Sequence, residues 1–299
     1  MRTSALVLGI GVLVAAGCSD GPAASGTSTA EAVGPAGMTD VGGYRLSYQC
    51  RGTGSPTVIL EAGYDSGGTS TWFDLQPRLA EFTRVCTYDR AGVGTSDPRP
   101  AADEPVTGTR IASELHALLD AIGVGPPYVL VGHSYGGLLI RAYQASYPDE
   151  VAGMVLIDAS SEPEIPIYRR LHAGTWIDGG MKVDIDEVAD EVRAARLGDI
   201  PLVVLTAELI EDRWLKTVPR RAAAAQARLA TLSSDAIQVV VENSGHFIQD
   251  EDPAIVVEAI REVVDAARTG SPLPACGGEL EAAGGTCVPD GQVPRLRPA

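Results

Sequence analysis

The stretch Tyr128-Val129-Leu130-Val131-Gly132-His133-Ser134-Tyr135-Gly136-Gly137 constrains the fold of this chain more than any other segment. An apolar run leads into a G-x-S-x-G turn, and helix-like sequence follows. A serine in that position sits on a tight strand-to-helix bend, its hydroxyl raised above a sheet and backbone N–H groups gathered at the helix N-terminus. Acyl transfer needs this geometry. Gly132 and Gly136 have a physical reason to be there, because the bend brings neighbouring backbones too close for a Cβ on either side of the serine. A pattern of five residues also recurs by chance, so its surroundings decide its meaning.

Those surroundings alternate short β-branched runs with segments of helical period. The runs are Thr57-Val58-Ile59-Leu60, Arg84-Val85-Cys86-Thr87-Tyr88, Tyr128-Val129-Leu130-Val131, Gly153-Met154-Val155-Leu156-Ile157, Pro201-Leu202-Val203-Val204-Leu205 and Ile237-Gln238-Val239-Val240-Val241. Most are apolar at every position, as strands covered on both faces of a parallel sheet must be. Between them Ile111, Leu115, Leu118, Leu119 and Ile122 fall on one helical stripe, as do Ile255, Val256, Ala259, Ile260 and Val263. The chain is therefore expected to be α/β, with a mostly parallel sheet sandwiched by helices.

Open α/β sheets gather their chemistry at the carboxyl ends of the strands. Ser134 follows one run, Asp158 follows the next in Leu156-Ile157-Asp158-Ala159, and His246 follows the last in Ser244-Gly245-His246-Phe247. A hydroxyl is a weak nucleophile at neutral pH. It needs an imidazole to take its proton, and the imidazole needs a carboxylate to fix its tautomer. Serine, acid and histidine occur in the order that such a sheet can bring together.

These motifs, with Tyr88-Asp89-Arg90-Ala91-Gly92-Val93-Gly94-Thr95-Ser96 after the expected fourth strand, resemble the α/β-hydrolase fold family, serine hydrolase and esterase branch, over roughly residues 40 to 268. The resemblance implies a sheet of about eight strands, helices on both faces, and a small cap inserted after the sixth strand. It implies an oxyanion loop after the third strand, where this chain reads Glu61-Ala62-Gly63-Tyr64 in place of the usual H-G-x. The donor there is a backbone N–H, so Tyr64 and Tyr135 are the expected oxyanion pair. Such a donor is typically worth about 10²–10³ in turnover. The family places its acid after either of two strands. Asp158 matches one position. Around the other, Thr206-Ala207-Glu208-Leu209-Ile210-Glu211-Asp212 departs from the usual register, leaving Asp212 as the alternative acid.

The segment between Asp158 and Pro201 exceeds what the bare fold needs, and a cap over about 160–200 would exclude water and shape the acyl pocket. Tyr168 and Trp176 are candidate substrate walls; closing the cap's own small core is the alternative for both. His116 reads as a partly buried helix residue, His133 as a packing residue inside the bend, and His172 as a cap residue. No pair of histidines has metal-ligand spacing, and the glycine pairs fit neither a P-loop nor a dinucleotide fingerprint, so no metal and no cofactor is expected.

At the N-terminus, Met1-Arg2 precedes an apolar stretch over residues 5 to 17 that is short for a membrane span. Val14-Ala15-Ala16-Gly17-Cys18 resembles a bacterial lipobox. The expected organisation is a signal peptide over 1–17, lipidation at Cys18, a Gly/Ala/Ser/Thr-rich tether over 18–39, the hydrolase domain over 40–268 and a C-terminal tail over 269–299. Ordinary secretion is the alternative. Five cysteines in an exported chain leave four once Cys18 is lipidated. In the resembled fold Cys50 and Cys86 lie on the adjacent second and fourth strands and should bond. Cys276 and Cys287 would then close a Gly-rich loop in a loosely attached tail.

The formal net charge of −16 excludes the basic surface that nucleic acid requires. The expectation is an exported, membrane-anchored serine hydrolase that acts on a small-molecule acyl substrate through a covalent acyl-enzyme. An acyltransferase or small-amide or peptide hydrolase on the same triad, or a ligand-binding protein on the same fold, are the alternatives.

Overall fold

The computed structural model describes residues 33–100, 104–171, 176–193, 197–210 and 219–299. An antiparallel pair comes first, β1 (Val33–Asp40) and β2 (Arg45–Arg51). Strand β3 (Thr57–Glu61), the short helices α1 (Gly68–Thr71) and α2 (Gln76–Ala80), and β4 (Val85–Tyr88) follow. Next come α3 (Gly108–Ala121), β5 (Tyr128–His133), α4 (Tyr135–Ser146) and β6 (Val151–Ile157). The cap holds α5 (Ile165–Leu171), the hairpin β7 (Trp176–Asp178) and β8 (Met181–Val183), and α6 (Ile185–Arg193). The chain returns through β9 (Leu202–Ala207), β10 (Leu209–Ile210), α7 (Pro219–Ala230), β11 (Ala236–Val241), α8 (Ile248–Glu251) and α9 (Pro253–Thr269). It closes with α10 (Gly278–Ala282), β12 (Gly285–Val288) and β13 (Arg297–Pro298).

Among the described residues the main sheet has nine strands in the order β1-β2-β4-β3-β5-β6-β9-β11-β12. The strands from β4 through β11 run parallel to their neighbours, and β1, β2 and β12 are antiparallel additions at the two ends. Every all-apolar run became a buried central strand, because alternate side chains serve opposite faces and both faces are covered. Val129 and Val131 of β5 pack beneath α9 with Ile260, Val263 and Val264, whereas Leu130 joins the opposite core with Leu115, Leu118 and Ile140. Burying one such side chain contributes about 1.5–3 kcal/mol, so this double-sided core dominates the stability of the sheet.

Two expectations are corrected here. The tether does not extend to residue 39, since β1 begins at Val33 and pairs along β2. The nine strands of the main sheet agree with the expected count of about eight. The tail is no loose appendage: β12 adds to the free edge of β11, and β13 pairs in parallel with β10, on the segment that follows β9. The disulfides Cys50–Cys86 and Cys276–Cys287 are both present, the first joining β2 to β4 across a direct Cα pairing. No helix among the described residues is long and apolar enough to cross a membrane. Cys18, His172 and Asp212 lie outside the described residues.

Candidate active site

Ser134 links β5 to α4 with φ 52° and ψ −122°, a left-handed backbone that a side-chain-bearing residue adopts only where its surroundings impose it. The imposition comes from close packing. A Cβ on Gly132 would stand 2.7 Å from the Gly136 backbone, and one on Gly136 would stand 2.6 Å from the Glu61 carbonyl oxygen. The Ser134 N–H donates to the Ile157 carbonyl at 3.1 Å, which ties the bend to the end of β6. Tyr135 opens α4, so its N–H belongs to the first turn, where no helical carbonyl can accept it.

Asp158 directly follows β6 and also has a positive φ, 37°. One carboxylate oxygen, Oδ1, accepts the Ala207 N–H at the end of β9 at 3.1 Å, and Oδ2 lies 2.6 Å from Nδ1 of His246. Across the imidazole ring, His246 Nε2 is 3.0 Å from Ser134 Oγ. Serine, histidine and aspartate thus form one continuous hydrogen-bonded chain. The loop carrying His246 is held from behind, because Glu251 of α8 accepts from the Gly245 N–H at 2.7 Å and from the Ser244 hydroxyl at 3.2 Å.

His133 does more than pack. Its ring is buried beside that of His246, with centroids 4.7 Å apart, and its Nε2 lies 2.9 Å from the His246 carbonyl oxygen. Burial, reinforced by the neighbouring imidazole, pushes the His133 pKa down to about 3. The neutral ring must therefore carry its proton on Nε2 and donate it to that carbonyl, tying the histidine loop to the bend. His116 stands apart, stacked on Tyr147 with centroids 4.1 Å apart.

The loop after β3 reaches the nucleophile as well. A Cβ on Gly63 would lie 3.5 Å from the Ser134 Cβ, so the segment 62–64 passes directly over the bend. Its scaffold is Arg90, which sequence reading quoted only as part of a motif. The buried Arg90 guanidinium donates from Nη1 to Glu61 Oε1 at 2.6 Å and the Ala62 carbonyl at 2.9 Å, and from Nη2 to the Gly63 carbonyl at 2.7 Å. On its other side Nε and Nη2 each reach Asp178 of β7 at 2.8 Å. Asp178 Oδ1 in turn accepts the Asp65 N–H at 2.9 Å. Burial pushes the Asp178 carboxyl up, but the Arg90 charge outweighs it and holds the pKa below the usual carboxylate range. For Glu61 burial wins and the pKa is raised. The cap hairpin and the loop over the nucleophile are thereby fastened to one buried cation.

Ser134 opens into a cavity of about 370 Å³, within the range of small-molecule sites. Tyr168 is one of its walls. Trp176 does not line this cavity and lies buried in the cap core, the alternative placement, its ring 4.5 Å from Tyr64, 5.4 Å from Tyr135 and 5.9 Å from Tyr168. Among the walls that sequence reading did not assign are Glu164, Ala222, Phe247 and Leu296. Phe247 was legible as the residue after His246; Glu164 and Leu296 carry no local signal of a role. Burial raises the Glu164 pKa to about 7, although its carboxylate accepts from the Ser161 N–H and hydroxyl, both at 2.9 Å.

Comparison with known proteins bears on the fold. Residues 56–189 match the model of the alpha/beta hydrolase fold family. The chain is 29% identical over 231 residues to the protein YqjL of Bacillus subtilis (strain 168), covering 73% of this chain and 87% of that one. It is 36% identical over 111 residues to an AB hydrolase superfamily protein of Gibberella zeae, of which it spans 33%. The solved structure of a thermophilic esterase from Thermogutta terrifontis superposes with a TM-score of 0.60 at 21% identity, covering 78% of this chain and 99% of the esterase. The chain has the α/β-hydrolase fold.

Proposed function

We propose that this chain is a serine hydrolase that cleaves a carboxylic ester through a covalent acyl-enzyme. The observation that carries the reading is the unbroken relay from Ser134 Oγ through both nitrogens of His246 to Asp158, at 3.0 and 2.6 Å. Ser134 Oγ attacks the ester carbonyl while His246 Nε2 takes its proton. Asp158 holds the ring in the tautomer that leaves Nε2 free to accept and stabilises the imidazolium that forms. The backbone N–H groups of Tyr64 and Tyr135 receive the oxyanion of the tetrahedral intermediate. Collapse expels the alcohol with the proton from His246, and water repeats the sequence to release the acid and restore the serine.

The second part of the proposal is location. The two disulfides favour an oxidising compartment, which fits export and a membrane anchor through lipidated Cys18. Two experiments test the reading. A fluorophosphonate probe should label the wild-type chain and leave Ser134→Ala unlabelled, with p-nitrophenyl acetate turnover lost in parallel; labelling that survives the substitution refutes the catalytic assignment. Mass spectrometry of the membrane fraction should find a diacylglyceryl-modified Cys18, and an unmodified N-terminal peptide there would remove the anchor.

A further inference from the structure

The segment after β11 and α9 returns to the carboxyl edge of the sheet and takes part in the site. Arg297 pairs with Glu208 at 2.8 Å and donates to the Asn243 side-chain carbonyl at 2.8 Å, gripping the residues that directly follow β9 and lie two beyond β11. Its backbone N–H donates to the Glu208 carbonyl at 2.9 Å, and the Ala299 N–H donates to that of Ile210 at 3.1 Å. Leu296, immediately before this clamp, is a wall of the Ser134 cavity. Upstream on the same strap, Val288 to Val293 wall a second cavity of about 680 Å³ against the alanine-rich face of α7. The two cavities share Glu164 and Ala222 as walls, so they are adjacent across those residues.

At the ~30 Å³ that a water occupies in the liquid, the inner cavity holds on the order of a dozen non-hydrogen atoms, an ester group with roughly eight acyl carbons. Resting on the serine-hydrolase reading, we propose that the strap makes the two cavities one bent cleft. The preferred substrate is then an ester with a medium-to-long apolar acyl chain. Its carbonyl lies at Ser134, and its chain runs between Leu296 and Ala222 into the outer cavity. The alanines of α7 with Ile167, Val288 and Val293 give an alkyl chain an apolar wall in the outer cavity, whose other lining includes Arg221, Arg228 and Asp290. The strap is a specificity-determining element, contributed by the C-terminal end of the sequence, beyond the last catalytic motif.

The test is the ratio of kcat/KM for p-nitrophenyl decanoate to that for acetate in the full chain and in two variants, Ala222→Phe at the junction and Leu296→Trp on the strap. Thermal melting and fluorophosphonate labelling of Ser134 confirm that each variant is folded. The wild type is expected to favour decanoate, and each variant to lower the ratio by about tenfold or more, the scale at which a pocket discriminates chain length. A wild type whose rate falls steadily from acetate upward overturns the proposal, as do folded variants with an unaltered ratio. Failure of the wild type both to hydrolyse any ester and to be labelled at Ser134 overturns the serine-hydrolase reading itself, and the cleft with it.

Discussion

Replacing Arg90 by methionine probes the link between the cap and the loop over the nucleophile. The guanidinium makes five hydrogen bonds, two to Asp178, one to Glu61 and one each to the Ala62 and Gly63 carbonyls. Side-chain exposure is 1% for Arg90, 2% for Glu61 and 0% for Asp178, so methionine leaves two carboxylates without a cation and out of reach of water. Removing one partner of a buried ion pair costs about 3–5 kcal/mol, and a domain of this size loses about 2–4 °C of Tm per kcal/mol, giving a fall of roughly 10 °C. The sign of the pH dependence follows. In the variant the orphaned carboxyls have folded pKa values above the unfolded ones, so their penalty grows as pH rises and vanishes below the ordinary carboxylate range. In the wild type the lowered Asp178 contributes stability that is lost as pH falls through its folded pKa. Between pH 8 and pH 5 only the first effect acts, and it shrinks the Tm gap; the second sets in below the ordinary carboxylate range. Thermal melts at the two pH values measure this, and ester turnover at 25 °C should fall by about 10²–10³ if the Tyr64 N–H loses its position. A Tm within about 3 °C of wild type at pH 8, with unchanged turnover, would refute the argument.

Asp158→Asn should lower kcat by about 10⁴ with little change in KM, because the amide cannot hold the required His246 tautomer, whereas Asp212→Asn should have little effect; the reverse ranking would transfer the acid role. Replacing Cys50 and Cys86 together by alanine opens a loop with a sequence separation of 36 and should cost about 4 kcal/mol on the chain-entropy model, read as a fall in denaturant midpoint with a slope that rises as the unfolded chain becomes less compact. Glu164, raised from 4.5 to about 7, is harder to ionise in the folded chain than in the unfolded one. It therefore withdraws stability as pH rises from 4.5 to 7, by roughly 3 kcal/mol, and Glu164→Gln should flatten that part of the stability profile in denaturant titrations.

The legible parts of the fold were those where local sequence and tertiary role agree. Val129 to Val131 are apolar on both faces because both faces are covered, and Ser134 needs glycine on either side wherever such a bend occurs. Asp158 was legible from its place at a strand end. The missed elements depend on partners distant in sequence. Gly285-Thr286-Cys287-Val288 is only four residues long, opens on glycine, and becomes β12 by pairing with β11, a partner distant in sequence. The Pro-rich run to Ala299 reads as linker, and nothing near Arg297 announces that Glu208 will meet it. Residues 33–39 contain Gly34, Pro35 and Gly37 and read as tether, yet β2 supplies the ladder they lack. Trp176 has the chemistry of a pocket wall, and only packing against Tyr64 and Tyr135 sends it to the cap core.

The last strand of the main sheet has a consequence for solubility. Without β12, the mostly buried strand β11 would present an open row of amides and carbonyls beside Ile237, Val239 and Val241, a template for docking another molecule edge to edge. β12 occupies that row, is only four residues long, and runs into Pro289, which cannot extend the ladder outward. Cys276–Cys287 ties β12 to the segment at Cys276, which packs against the core, so a reducing environment that loosens it should promote oligomers that grow with protein concentration.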